Sequence, residues 1–271
     1  MEKVLCFGDS HTVESWGARW VKTFEKQMND KATKSGAKEN YTCVRVCGDG
    51  FQTFNNLRDS EEALKMNKPK FVVIMVGTND VLDFLWRESN SPMVKLHANQ
   101  TKISKEYISN IDSFTKDYRE LVKRAAESSA EKLVCVSLSP LGEDLNSHAN
   151  ETVRKYCDTI LEIAEEQNKK TGNVVYAGFN ENLKDHLLSM DPKRKLKPFQ
   201  VESTAKIMMQ MGGAKIQNKC CFQSYDAIAR RNGRTILSND NIHITETAAR
   251  ILVSTIMNSL YDDTVTQLNG L

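Results

Sequence analysis

The 271 residues can bury a sizeable core as one large domain or at most two, and with 40% hydrophobic and 27% charged residues they read as an ordinary globular chain. Thirty-seven Lys and Arg against 35 Asp and Glu leave a formal net charge of +2, so no global field draws the chain toward nucleic acid or a membrane. No apolar stretch approaches the roughly 18 residues of a membrane span, and the N-terminus lacks the basic region and long apolar run of a signal peptide. The expected location is therefore cytoplasmic, or secreted if a leader has been removed.

The first element is Val4-Leu5-Cys6-Phe7, an apolar run too short for a helix and right for a buried strand. It leads straight into Gly8-Asp9-Ser10. Val13, Trp16, Trp20, Phe24 and Met28 then recur at three- and four-residue spacing, which predicts an amphipathic helix. Further strands are expected at 41–47, 71–76, 133–138 and, more weakly, 174–177, with helices at about 53–66, 106–129, 150–169 and 245–261. Strands apolar on both faces and separated by helices form a parallel sheet covered on both sides. The predicted architecture is a doubly wound, flavodoxin-like α/β domain with five parallel strands in three layers, α/β/α. No repeat, low-complexity tract or linker divides it, so residues 1–271 are taken as a single domain.

In such sheets ligands bind at the carboxyl ends of the strands, near the point where strand order reverses. Strand one is followed by Gly8-Asp9-Ser10, strand two by Gly48-Asp49-Gly50 and strand three by Gly77-Thr78-Asn79-Asp80. Far downstream, Ser238-Asn239-Asp240-Asn241-Ile242-His243 precedes the final helix. These four blocks, in this order, resemble the GDSL-type or SGNH hydrolases, and the resemblance runs from Val4 to about Leu260. It implies a serine hydrolase that cleaves carboxylic esters through an acyl-enzyme, with no metal or organic cofactor. The substrate would be a small-molecule or lipid ester. Carbohydrate O-acetylesterase, lysophospholipase and thioesterase activity all fit the same constellation, and a catalytically silent binding protein of the same fold is the rival from another class.

The chemistry also follows from the residues. Ser10 sits on a tight strand-to-helix loop, and a serine hydroxyl is a poor nucleophile until a base takes its proton. Among the five histidines, His243 alone stands three residues after an aspartate in a loop leading to a helix, so Asp240 can orient it. By resemblance, the oxyanion is held by the backbone N–H of Ser10, that of Gly50 and the side-chain amide of Asn79. Gly48 competes with Gly50 for that place; Thr53 downstream favours Gly50. His11, where many relatives carry leucine or isoleucine, is read as a pocket wall or packing residue because no aspartate has a spacing suited to orient it. Asp9 and Asp80 are read as turn-fixing and capping groups.

His97, His148 and His186 show no metal-like spacing and are expected on the surface or in loops. Seven cysteines are an odd count, and Cys6, Cys43, Cys47 and Cys135, in or beside strands, read as buried free thiols. Cys220-Cys221 reads as ordinary packing. Asn-x-Thr triplets at Asn40, Asn99 and Asn150 carry no meaning without a secretory route. Residues 193–234 hold ten basic and two acidic side chains, +8 against −6 for the remainder, together with Ile207, Met208, Met209 and Met211. The segment at about 190–225 is therefore expected to be a lid favouring an acyl chain on an anionic group, or a peripheral contact with an anionic membrane; a solvated connection is the plain alternative. Few aromatics and no known motif argue against nucleic acid. The oligomeric state is not legible in the sequence.

Overall fold

Side chains of the central strands alternate between two buried faces, and that alternation organises the molecule. The computed structural model describes residues 1–101, 107–190, 196, 198–201 and 204–261. Strands β1 (Glu2–Gly8), β2 (Tyr41–Cys47), β3 (Phe71–Met75), β4 (Lys132–Val136) and β5 (Val174–Ala177) form one parallel sheet in the order β2-β1-β3-β4-β5. Leu5, Phe7, Val72, Ile74, Leu133 and Cys135 point to one face, where they meet side chains of α3 (Thr53–Asn67), α6 (Ile111–Ala126) and α7 (His148–Thr171). Val4, Cys6, Val73, Met75, Val134 and Val136 point to the other, against α2 (Trp20–Lys34), α8 (Phe179–Leu188) and α11 (Glu246–Tyr261). This is the three-layer, doubly wound arrangement expected from the sequence. Strand order reverses between β1 and β3, so the loops after these two strands flank a crevice.

The helices depart from the sequence reading in definite ways. The helix expected through Val13 to Met28 is broken into α1 (Ser10–Val13) and α2. Glu14 adopts the left-handed region (φ 63°), and its carboxylate turns back to accept the N–H groups of Val21 and Lys22 at the start of α2 while pairing with Arg45 at 2.7 Å. The helix expected at 106–129 starts only at Ile111, where Asn110 and Ser113 cap each other reciprocally; its first expected residue lies outside the described residues. Two helices not foreseen, α4 (Thr78–Glu88) and α5 (Met93–Thr101), follow β3, and α8 follows β5. Beyond it, α9 (Thr204–Cys220) and α10 (Tyr225–Arg231) precede the His243 loop. The cysteines in the described residues are all free thiols, but Cys43 and Cys47 are only half-buried and Cys220 and Cys221 are exposed at the end of α9, which corrects their reading as packing residues. Among the described residues no helix is long and apolar enough to cross a membrane.

Candidate active site

The loop after β1 is gripped before it turns. Asn56 of α3 brackets Gly8, accepting its N–H and donating to its carbonyl, both at 3.1 Å. The chain then leaves the sheet and Asp9 caps α1, its Oδ1 accepting the His11 N–H at 2.9 Å. Ser10 opens the helix, nearly buried, with its hydroxyl at the carboxyl end of the sheet. Asp9 thus has the turn-fixing place expected of it.

His11 requires a correction. Asp9 does orient it: Oδ1 lies 3.0 Å from Nδ1, while Nε2 meets the Ile242 carbonyl at 3.0 Å. Burial opposes a charge on this ring, but the Asp9 carboxylate and the Ile242 carbonyl outweigh it and raise its pKa above the usual histidine value. Both partners are acceptors, so the imidazolium, with two N–H donors, satisfies both. His11 therefore ties the Ser10 loop to the loop that carries His243, and both its ring nitrogens are engaged away from Ser10.

That second loop is built on its own hydrogen bonds. Leu237 and Ile244 form an antiparallel bridge, Ser238 N–H donates to the His243 carbonyl at 2.7 Å, and Asn241 takes the left-handed region (φ 61°) that asparagine tolerates. Asp240 Oδ1 accepts the N–H groups of Ile242 and His243 at 2.9 and 3.0 Å, leaving Oδ2 to meet His243 Nδ1 at 2.7 Å. With Nδ1 donating to the carboxylate, the lone pair of Nε2 faces the Ser10 hydroxyl at 2.9 Å. Burial penalises the Asp240 anion, yet the His243 ring and those two N–H groups more than offset it and hold its carboxyl below the usual range. The loop packs closely on the residues preceding α2: a Cβ at Gly17 would stand 2.8 Å from the Ile244 carbonyl oxygen and 3.2 Å from His243 Cβ.

Gly50 and Asn79 complete the group. Gly50 has φ +79°, a conformation that favours glycine, and lines the same cavity as Ser10, Asn79 and His243. Gly48 does not line it; a Cβ there would strike the Phe51 ring at 2.3 Å. Asn79 lies in the first turn of α4, and its Nδ2 donates to the Phe51 carbonyl at 3.0 Å, tying the β3 loop to the Gly50 turn. Asp80 beside it ties the same two loops, since its Oδ2 accepts the N–H and hydroxyl of Thr53 at 3.0 and 3.1 Å. Burial pushes its carboxyl up to about 7 despite those donors.

The cavity holds about 130 Å³, and its far wall is apolar: Leu82 and Trp86 from α4, Met93 and Leu96 from α5, and Ile207, Met208 and Met211 from α9. The methionine cluster thus reaches the site, and Lys215 of α9 stands over the Trp16 ring at 4.0 Å. Lys193, Arg194, Lys195 and Lys197 of the basic segment lie outside the described residues. His97 was expected on the surface or in a loop; instead it is buried on α5, lines the cavity and bonds the Gly50 carbonyl. The signal was present in the 93, 96, 97, 100, 101 spacing, which places these residues on one face of a helix. His148 is exposed and pairs with Glu88, and His186 lies part-exposed on α8. Glu143 was also missed: buried, its Oε1 accepts the N–H groups of Thr235, Ile236 and Leu237 and so anchors the entry to the His243 loop. Among the described residues no cluster of His, Cys, Asp and Glu could hold a metal ion.

A sequence model of the GDSL-like lipase/acylhydrolase family matches residues 4–256. The chain belongs to that family. No curated protein matches it. Solved structures do resemble this GDSL-type hydrolase: an acetyl xylan esterase of Geobacillus stearothermophilus is 16% identical, over 96% of this chain and 94% of its own, with a TM-score of 0.61. An alpha/beta hydrolase enzyme from the metagenome of Lake Arreo, Spain, is 13% identical, over 95% of this chain and 94% of its own, also at 0.61. Likeness at such identity carries the fold. Catalytic mutants of the xylan esterase have been solved with a serine, an aspartate or a histidine replaced by alanine, the aspartate three positions ahead of the histidine.

Proposed function

We propose that this GDSL-type hydrolase is a serine esterase in which Ser10, His243 and Asp240 are the catalytic triad and the N–H groups of Ser10 and Gly50 and the Asn79 amide are the oxyanion hole. The observation that carries the reading is the unbroken chain from Asp240 Oδ2 to His243 Nδ1, 2.7 Å, and from His243 Nε2 to Ser10 Oγ, 2.9 Å. Asp240 and His243 also repeat the aspartate–histidine spacing of the xylan esterase mutants.

Ser10 Oγ attacks the ester carbonyl carbon while His243 Nε2 takes the hydroxyl proton. The carbonyl π electrons move to oxygen, and the three donors hold the anion that forms; a donor of this kind is worth about 2.7–4 kcal/mol. Asp240 stays ionised throughout and stabilises the imidazolium, as its lowered pKa favours. Collapse breaks the bond to the leaving alkoxide, which takes the Nε2 proton and departs. A water molecule, deprotonated by the same nitrogen, then attacks the acyl-Ser10 ester and releases the carboxylic acid, returning the proton to Ser10.

The apolar far wall supports an acyl group longer than acetyl. The acetyl xylan esterase neighbours favour a second reading, a carbohydrate O-acetylesterase. Hydrolysis of a chromogenic ester panel from acetyl to dodecanoyl, by the wild type and by Ser10→Ala, tests both. Loss of at least about 10³-fold in the variant is expected, with wild-type kcat/KM peaking above acetyl. Equal activity in the variant would reject the serine mechanism, and a peak at acetyl would favour the O-acetylesterase.

A further inference from the structure

The oxyanion-hole turn is held from outside by a helix that has no place in the triad. We propose that His97, with Gln100 beside it on α5, is a positioning residue for the Gly50 oxyanion donor, an inference that rests on the oxyanion role given to Gly50 above.

Three residues of α5 at positions i, i+3 and i+4 face the Gly50 turn. His97 Nε2 lies 2.6 Å from the Gly50 carbonyl oxygen, and since a carbonyl only accepts, this nitrogen carries the proton and donates. Gln100 Nε2 donates to the Asp49 carbonyl at 3.4 Å. The Asp49 carbonyl and the Gly50 N–H belong to one planar peptide, so a donor that fixes the oxygen also fixes where the N–H points. The His97 bond fixes the next peptide, and the two together determine the orientation of Gly50. Thr101 closes the third side, its Cγ2 standing 3.2 Å from where a Gly50 Cβ would be, as do two His97 ring atoms.

The helix is itself held in place. Thr101 Oγ1 donates to the His97 carbonyl at 2.8 Å, and Asn55 of α3 donates to the Thr101 carbonyl at 3.2 Å. Around the His97 ring, the Trp86 ring packs edge-on at 5.5 Å between centroids, and Asp83 Oδ1 stands 3.9 Å from Nδ1. Asp83 is paired in turn with Arg87 at 2.7 Å. A glycine at positive φ has a wide range of conformations when free, and an oxyanion donor is useful only when it is already aimed at the developing charge. The α5 side chains remove that freedom. On the same face of the helix, Met93 and Leu96 wall the acyl side of the cavity, so one element sets both the donor and the seat for the acyl group.

His97→Phe keeps a planar ring but loses the donor, and His97→Gln restores one. The test measures kcat and KM on the best ester of the panel, and the inhibition constant of an alkyl trifluoromethyl ketone, whose adduct with the serine carries the oxyanion. Expected for His97→Phe are a fall in kcat of about tenfold or more, a KM within about twofold of wild type and a matching weakening of ketone binding. His97→Gln is expected to recover most of the loss, and Gln100→Leu, at an exposed position, to lose about two- to threefold in kcat. A His97→Phe enzyme with wild-type kcat would overturn the proposal, as would a change confined to KM, or equal losses in the Phe and Gln variants. If His97→Phe does not fold, the Gln100→Leu result decides: unchanged kcat and ketone binding reject the clamp. Failure of Ser10→Ala to lose activity would reject the serine reading itself, independently of these variants.

Discussion

Asp80 and Asp240 are both aspartates buried at the same end of the sheet, yet their surroundings drive them apart. Asp240 accepts two backbone N–H groups and the His243 ring and is held below the usual carboxylate range; Asp80 has the Thr53 N–H and the hydroxyls of Thr53 and Ser109, with Asp117 and Asp83 adding like charge nearby, and burial dominates. The difference is how far the donors and the neighbouring charges of each carboxylate offset its burial. It has a consequence for stability. The Asp80 carboxyl titrates near 7 in the folded chain and near the ordinary value of about 3.9 when unfolded, so between these values the unfolded state releases a proton that the folded state keeps. Its contribution is fully present below about pH 4, declines as pH rises and is lost once pH has passed 7. Asp80→Asn mimics the protonated acid and can keep the Thr53 bonds. The melting temperature of this variant is expected to match wild type at pH 4.5 to within about 1 °C and to exceed it at pH 8 by at least about 2 °C. An identical gap at the two pH values would show that the carboxyl is not the titrating group.

At the scale of elements, α9 supplies one apolar wall of the cavity, on the side proposed for the acyl group. Its sequence carries apolar residues without one clean amphipathic face: Ile207 is buried, Met208 lines the cavity while half exposed, and Met209 and Ile216 are turned out to solvent. Its contact with the core of the site is correspondingly narrow, through Ile207, Met211 and the Lys215–Trp16 stack. A helix attached in this way can wall a pocket without contributing to the sheet's stability. Replacing Ile207 by Trp fills the apolar end of a cavity of about 130 Å³. The ratio of kcat/KM for octanoyl to acetyl esters is expected to fall about tenfold, while the rate of Ser10 labelling by a small fluorophosphonate changes far less, since the proposed triad lies on other elements. A uniform fall across all chain lengths would instead place Ile207 in support of the triad. The cation–π contact gives one of the three lysines of this helix a place at the site: Lys215 can cover the Trp16 ring and keep its ammonium near water.

At the scale of the whole molecule, residues 10, 50, 79, 240 and 243 converge only because the sheet order β2-β1-β3 brings three loop ends together and a fourth loop returns to them from 233 residues away. Much of this was legible. Apolar runs marked β1, β3 and β4, which are buried on both faces, and shorter or mixed ones marked the half-buried edge strands β2 and β5, while polar blocks at the ends of the first three strands marked the site. What was not legible depended on partners distant in sequence. Nothing in a two-residue separation reveals that Asp9 will turn onto the His11 ring, because that depends on the Ile242 carbonyl arriving on the other side. His97 looked unattached because its partner is a backbone carbonyl 47 positions away, and Glu14 broke a helix for the sake of capping the next one. Glu143 is the clearest case, since its three N–H partners lie more than 90 residues downstream. It follows β4, on the scaffold, and holds Thr235 to Leu237, from which the His243 loop springs; the adjacent Gly142 N–H donates to the Asn241 carbonyl at 2.9 Å and fixes the same loop further on. A neutral amide accepts these bonds more weakly than a carboxylate, and turned the other way it presents donors to donors. Glu143→Gln is therefore expected to cost about 1–3 kcal/mol of stability, read as a lower urea midpoint, and at least about tenfold in kcat under conditions where the variant remains folded. Loss of stability with unchanged kcat would mean that the His243 loop keeps its geometry without this anchor, and that the contacts from His11 and Gly17 suffice to hold it.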